Sequence, residues 1–378
     1  MSVYRERRRR VAEHLDARGV DLFLVADSQE RRSPSLRYLS GHPMDALLFL
    51  DRRGGSILVP WDVPMAELRA EADEILPYND FGRRPLSALL GVLHREGFDP
   101  SRPFTVALDR RFSHPSVTGM IQGVADIFPR AEILCSDEGP DAFIEEMRMV
   151  KDPVEIRKLR GAAEILNRLI DGIEDSLRRG GLSSELDAAL YIERECRILG
   201  AEGASFETIA AGPDRSFGIH AFPGYGPGAF ASPGLSILDF GVSCDGYAGD
   251  VTLTVVSGRP SPRQRLLLEL VEEAYTQALA LCTAGTPVSR IAAAADRVFS
   301  RHGLSMPHSL GHGLGLQVHE APYLRSSPEK EVPLRPGMVF TLEPGLYDPG
   351  AGGVRLENDI LITETGPEVL TRARILYI

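Results

Sequence analysis

In the C-terminal half of this 378-residue chain, four acidic residues sit inside runs that otherwise read as apolar β-strands. Asp239 follows Ile237-Leu238 in LSILDFGVSCDGYAGDVTLTVV, and Asp250 precedes Val251-Thr252-Leu253 across a glycine-containing turn. A hairpin there brings the two carboxylates together. Glu343 ends the run from Met338 to Leu342 in GMVFTLEPGLY, and Glu357 lies between Leu356 and Ile360-Leu361-Ile362 in GGVRLENDILIT. A carboxylate buried without a partner is costly, and desolvation drives it to take up a proton, a basic side chain or a metal ion. Arg355 is the obvious basic neighbour, two residues before Glu357 and so on the same face of a continuous strand. The stretch SLGHGLGLQVHEAPYL, residues 309–324, adds His312 and His319. With His312 the set becomes four carboxylates and one imidazole, an oxygen-rich donor group too large for one zinc and suited to two divalent cations.

The patterning around these runs supplies their scaffold. In MVKDPVEIRKLRGAAEILNRLIDGIEDSLRRGG, Asp152 can cap a helix, Pro153 suits its first position and Glu155 completes a capping box. Ile156, Leu159, Ala163, Leu166, Ile170 and Ile173 form its apolar stripe, and Gly180-Gly181 ends it. Ser184 and Ser261-Pro262 open two further helices. Helices thus separate glycine-rich, strand-like segments at 205–256 and 338–363, which predicts an α+β unit with the chemistry on its sheet. The first 150 residues carry strand-like runs at 20–27, 46–50, 56–60 and 105–108 and helical spacing at 64–76 and 85–97, which predicts an α/β domain. That half holds neither G-x-G-x-x-G nor a Walker loop, so it shows no phosphate-cradling motif. His42 reads as a plain surface or turn histidine.

Composition narrows the partners. Lys+Arg 42 against Asp+Glu 53 gives a net charge of −11, which argues against general binding of nucleic acid or anionic membranes. A charged fraction of 25% and a hydrophobic fraction of 43% are those of a globular protein, and the length implies two domains. The basic run RERRRR is followed by Val11, Ala12, Leu15 and Val20, the apolar side of a short amphipathic helix whose arginines form the wet side. Cys135, Cys196, Cys244 and Cys282 are far apart with no C-x-x-C pair, as expected of reduced thiols. No signal-peptide core and no membrane-length apolar run occurs, so a cytoplasmic protein is expected.

The segments SFETIAAGP (205–213), IHAFP (219–223), DFGVSCDGYAGDVT (239–252), PHSLGHGLGLQVHEAP (307–322), PGMVFTLEPGLY (336–347) and GVRLEND (353–359), in that order, resemble the pita-bread-fold metallopeptidases. That family comprises methionine aminopeptidase, aminopeptidase P, prolidase and the metal-free relative creatinase. VDLFLV and LRYLSG resemble, more loosely, the creatinase-type N-terminal domain, which methionine aminopeptidases usually lack. The resemblance implies a creatinase-type α/β domain over 1–150 and a pita-bread α+β catalytic domain over 151–378. It implies Asp239, Asp250, His312, Glu343 and Glu357 as metal ligands, with Asp250 and Glu357 bridging two ions that share a nucleophilic hydroxide. Manganese or cobalt is the implied metal, with zinc as a further option. Glu343 would pass on the water's proton, His220 and His319 would contact substrate and help stabilise the tetrahedral oxyanion or deliver a proton to the leaving nitrogen, and His308 would be another histidine, on the substrate side or supporting the ligands from behind. The implied activity is hydrolysis of the Xaa-Pro bond in small peptides with proline at the second position, by a homodimer. The alternative is a creatinase-like or metal-using hydrolase or lyase acting on a small non-peptide substrate. A non-catalytic binding protein on the same fold is disfavoured by the intact ligand set.

Some details follow from the local sequence. Gly311, Gly313 and Gly315 are expected to let backbone pass close to the ions. Arg355 either reads a substrate carboxylate or pairs with a neighbouring acid. Phe206, Tyr225, Phe230 and Tyr347 are candidates for apolar walls. Leu235, Leu253 and Asn358 depart from residues common in the family, and GYGPGAFASP (224–233) is an unusually Gly/Pro-rich loop near His220.

Overall fold

The computed structural model describes residues 2–329 and 331–378, which fall into two units, Met1–Met147 and Arg148–Ile378, each with its own apolar core. The first unit contains α1 (Val3–Arg18), β1 (Leu22–Asp27), α2 (Pro34–Ser40), β2 (Ala46–Asp51), β3 (Ser56–Pro60), α3 (Val63–Arg69), β4 (Glu74–Ile75), α4 (Pro85–Arg95), β5 (Phe104–Leu108), α5 (His114–Ala125) and β6 (Ala131–Leu134). The strands form one sheet in the order β4-β3-β2-β1-β5-β6. Only β2 runs against its neighbours, being antiparallel to β1 and β3, while β3/β4, β1/β5 and β5/β6 are parallel. This is the α/β arrangement expected of the first half.

Three local readings of that half need correcting. Arg7 and Arg8 are not on the wet side of α1 but are 4% and 2% exposed. Their guanidinium groups donate to the carbonyls of Tyr38 and Leu39, the last turn of α2, where carbonyls lack helical partners and a positive charge is favoured. The helix expected over 64–76 stops at Arg69, because Ala70 turns extended and residues 74–75 join the sheet beside β3. His42 is fully buried rather than at the surface.

The second unit is preceded by α6 (Pro140–Met149) and opens with α7 (Pro153–Arg178), whose capping box is made as the sequence implies: Asp152 accepts from the N–H groups of Val154 and Glu155, and Glu155 accepts from Asp152. There follow α8 (Glu185–Ile198), β7 (Gly203–Ala204), β8 (Ile209–Ala211), β9 (Gly234–Cys244), β10 (Tyr247–Ser257), α9 (Pro262–Leu279) and α10 (Val288–Ser300). The chain ends with β11 (Gly311–Gly313), β12 (Glu320–Leu324), β13 (Val339–Leu342), β14 (Gly345–Asp348), β15 (Gly352–Arg355), β16 (Asn358–Thr363), β17 (Gly366–Val369) and β18 (Ile375–Tyr377). One sheet runs β18-β10-β9-β7 with β8 also on β9, a second runs β12-β11-β13-β16-β17, and β14-β15 is a hairpin. Apolar faces of α7, α9 and α10 close over these strands, with Leu166, Ile170, Val271 and Phe299 fully buried. Leu235 and Leu253, the two apolar departures, are fully buried in the same core. No helix among the described residues is long and apolar enough to cross a membrane.

Candidate metal centre

The β9–β10 hairpin sets the first two acids. Thr252 faces Asp239 and Gly241 faces Asp250 in the antiparallel register, so both carboxylates lie on one face as diagonal neighbours. Glu357 lies between β15 and β16, its backbone bridged to Thr252 of β10, rather than inside one continuous strand. His312 sits mid-strand in β11, and Glu343 follows β13 directly. One donor atom each from Asp250, His312 and Glu357 lie within 4.8 Å of one another. Glu343 Oε1 is 3.4 Å from His312 Nε2, and Asp250 Oδ2 is 3.8 Å from it. Together with Asp239, all five line one cavity of about 370 Å³.

His220, His308, His319 and Arg355 line the same cavity. His220 and His319 are exposed, and the His319 ring lies 4.3 Å from that of His312. His308 bonds through Nε2 to the Tyr347 hydroxyl at 2.9 Å. Arg355 is 3% exposed and committed within the protein: it donates to Asp239 at 2.6 Å, Tyr347 at 2.8 Å, Thr252 at 3.0 Å and the Ile219 carbonyl at 3.2 Å. Of its two readings, the geometry realises the pairing with a neighbouring acid.

Electrostatics express the same crowding. Burial, then the negative charges of Glu357, Asp239, Asp359 and Glu343, push Asp250 well above the usual carboxylate range. Burial, then Glu343 and Asp239, do the same to Glu357. Burial lifts Glu343 to about 7 against the opposing charge of Arg355, and it takes His308 and His312 down to about 4. A divalent cation answers each of these demands at once. Asp250 Oδ1 is buried without a hydrogen-bond partner, while Asp239 and Glu357 each have one oxygen occupied, by Arg355 and by Thr252. His312 Nδ1 lies 3.2 Å from the Gly313 carbonyl, which assigns the proton to Nδ1 and leaves the Nε2 lone pair toward the acids. The donor set therefore fits divalent cations.

Several supporting residues were not singled out in the sequence. Asp359, buried behind Asp250 and accepting its N–H at 3.3 Å, carries a charge that burial disfavours strongly. Its signal was the same as that of the four acids singled out, an acid beside an apolar strand run. Thr341 joins His312 to Glu343, accepting from the His312 N–H at 3.1 Å and donating to Glu343 at 3.2 Å. Glu320, next to His319, is buried and ion-paired with Arg148 and, at 3.1 Å, with Lys151; against the upward push of burial, these cations hold it below the usual range. Glu185, 2% exposed at the start of α8, gathers the loop that carries His220: it accepts from Gly212 N at 2.8 Å, Gly226 N at 2.9 Å and the Arg215 guanidinium at 2.7 and 3.0 Å. Ion pairs with partners more than twenty residues away leave no local spacing signal.

One expectation fails here, and the glycines beside His312 have a steric account. A Cβ at Gly311 would strike the Thr341 carbonyl, and one at Gly313 the Ala321 carbonyl, so strand-to-strand approach requires these glycines. Phe230 is fully buried in the core rather than lining the cavity; of the four aromatic candidates, Phe206 lines it and Tyr347 reaches it by hydrogen bonds to Arg355 and His308. Asn358, the third departure, is structural: its side chain ties residues 371 and 373 to the end of β16.

A buried acid-and-histidine cavity on this fold defines a class of metal-dependent hydrolases. Residues 157–364 match metallopeptidase family M24, and residues 7–150 match the creatinase/prolidase N-terminal domain. The chain belongs to metallopeptidase family M24. It is 30% identical to a Xaa-Pro dipeptidase of Pyrococcus horikoshii over 382 residues, 98% of each chain. Among solved structures it resembles an X-Pro aminopeptidase from Thermotoga maritima, with a TM-score of 0.80, 27% identity and coverage of 95% of this chain and 98% of that one. A dipeptidase from Pyrococcus horikoshii gives 0.81, 27%, 98% and 100%. The creatinase-type first domain and the pita-bread second domain are those of these relatives.

Proposed function

We propose that this chain hydrolyses the Xaa-Pro bond in small peptides with proline at the second position, using two divalent cations held by Asp239, Asp250, His312, Glu343 and Glu357. The observation that carries this reading is the convergence of those five donors in one cavity, in a chain aligned end to end with a Xaa-Pro dipeptidase. Five donors exceed what one cation needs, which supports two ions, and their oxygen-rich chemistry favours manganese or cobalt over zinc. When bound, such ions polarise the scissile carbonyl and make a coordinated water acidic near neutral pH.

The chain's own groups do the rest. Glu343, in the wall of the same cavity, is placed to accept a proton from water there and return it to the leaving nitrogen. Partial desolvation at the cavity wall lowers His319, so its neutral ring can donate a hydrogen bond to the developing oxyanion, and His220 faces the same cavity as its counterpart. His308, lowered to about 4 and bonded to Tyr347, contributes a neutral substrate-side ring. Arg355 lends its charge to the acid cluster and holds Asp239 in position. The tertiary amide before proline has no N–H, so an enclosed pocket suits it better than a groove paired by backbone hydrogen bonds.

A homodimer located in the cytoplasm completes the proposal; the four free cysteines fit a reducing compartment. The deciding experiment compares release of the N-terminal residue from Xaa-Pro and Xaa-Pro-Xaa peptides, with metal content measured in the same preparation. Release that depends on added manganese or cobalt and disappears in His312→Ala and Glu357→Ala is expected. No release from any such peptide with manganese, cobalt or zinc would refute the reading.

A further inference from the structure

The first unit has a cavity of its own, which no sequence motif marks. Its sheet grows from β1 through β2, β3 and β4 on one side, then resumes on the other side of β1 with β5 and β6. The carboxyl ends of the parallel neighbours β1 and β5 therefore form a topological switch point, the place where open α/β sheets take ligands. A cavity of about 500 Å³ opens there, within the size range of small-molecule sites.

Its walls combine the rings of Trp61, Tyr78 and Phe112 with the guanidinium groups of Arg31, Arg83 and Arg111. Arg83 lies over the Trp61 ring, 5.4 Å from its centroid. Arg31 spends one N–H on the Arg111 carbonyl and Arg111 one on the Arg32 carbonyl, each at 3.0 Å. None of the three makes an ion pair with a carboxylate among the described residues. The acids that border the cavity, Asp27 and Asp45, are already answered by Arg32 at 3.5 and 2.7 Å. In a chain of net charge −11, three arginines facing one cavity with donors to spare stand out.

The geometry points to a ligand site in this unit for a small planar anion, a ring bearing a carboxylate or a phosphate. Guanidinium forks match the planar or tetrahedral oxyanion, and the indole and phenol faces stack on the ring. The anion binds to Arg31 and Arg111 beside the ends of β1 and β5, and the ring packs against Trp61 in place of part of the Arg83 contact.

Trp61 is the single tryptophan of the chain, so tryptophan emission reports on this cavity directly. The test titrates the full chain separately with adenosine monophosphate, benzoate, adenosine and inorganic phosphate. Saturable change with the phosphate-bearing or the carboxylate-bearing ring, at least about tenfold tighter than with adenosine or phosphate alone, is expected; which of the two binds identifies the anion. About tenfold is the low end of what one charge-assisted hydrogen bond supplies. Arg31→Gln and Arg111→Gln should each weaken that binding at least about tenfold while leaving the circular dichroism spectrum unchanged. No saturable change with either ring-bearing anion, free phosphate binding as tightly as adenosine monophosphate, or both folded variants binding like the wild type would each overturn the assignment.

Discussion

Glu185 offers a quantitative test of how the loop bearing His220 is held. The residue is 2% exposed, and its carboxylate accepts from two backbone N–H groups and from Nε and Nη2 of the Arg215 guanidinium. Glu185→Ala removes all four bonds and leaves a cation without its counter-charge. Breaking a buried ion pair from one side costs about 3–5 kcal/mol. The Arg215 side chain is 29% exposed and keeps the Pro223 carbonyl at 2.9 Å, so solvent screens part of the loss. The low end, about 3 kcal/mol, is the appropriate figure. For a unit of this size it lowers Tm by about 6–12 °C. Glu185→Gln keeps the shape and one acceptor but turns an amide donor toward donors, and should lie between Ala and wild type. Because the Ile219 carbonyl in this loop also accepts from Arg355, loosening it should raise KM for a Xaa-Pro dipeptide more than it lowers kcat. Differential scanning calorimetry and steady-state kinetics on the three proteins decide the matter. An alanine variant that melts with the wild type would refute the energetics, and one that melts early with unchanged KM would refute the positioning role.

Metal and pH give two further expectations. Chelator-treated protein should gain about 2.7 kcal/mol when manganese or cobalt is added at roughly a hundred times its dissociation constant, a rise in Tm of about 5–11 °C; in His312→Ala most of that rise should vanish, and an unmoved melting curve in the wild type would count against the site. In the first unit, burial and then the neighbouring Asp109 lift Asp141 from 3.8 to about 7. The folded state therefore holds the proton more tightly than the unfolded chain, so this group's stabilising contribution is complete below about pH 3.8 and is lost as pH rises through 7. Asp141→Asn keeps an acceptor for the Arg110 N–H, at 3.1 Å in the wild type, and its advantage in Tm over wild type should grow from pH 5 to pH 8. An offset that is the same at both pH values would show that the charge is not responsible.

Legibility in the sequence followed the range of the interaction. The capping box at Asp152, the helix starts at Ser184 and Ser261, and the apolar stripe of α7 depend on residues three or four apart, and all formed. The β9–β10 hairpin was readable because period two and one turn determine which side chains share a face. The short strands β4 and β6 were missed, since two to four residues carry too little pattern and only their neighbours in the sheet call for them. Arg7 and Arg8 were misread because an amphipathic count scores arginine as wet, whereas the carbonyl end of α2 makes burial favourable.

By itself the sequence singled out the acids that meet in one cavity, since an acid amid Ile, Leu and Val reports an internal demand before any neighbour is known. It also divided the chain into two differently patterned halves near residue 150. Only the tertiary structure decided who answers whom: that Arg355 serves Asp239, that Thr252 occupies one oxygen of Glu357, and that Glu185 and Glu320 tie down the segments carrying His220 and His319. Those choices depend on distances between residues far apart in the chain, and electrostatic and hydrogen-bond energies act on that distance rather than on separation along the backbone.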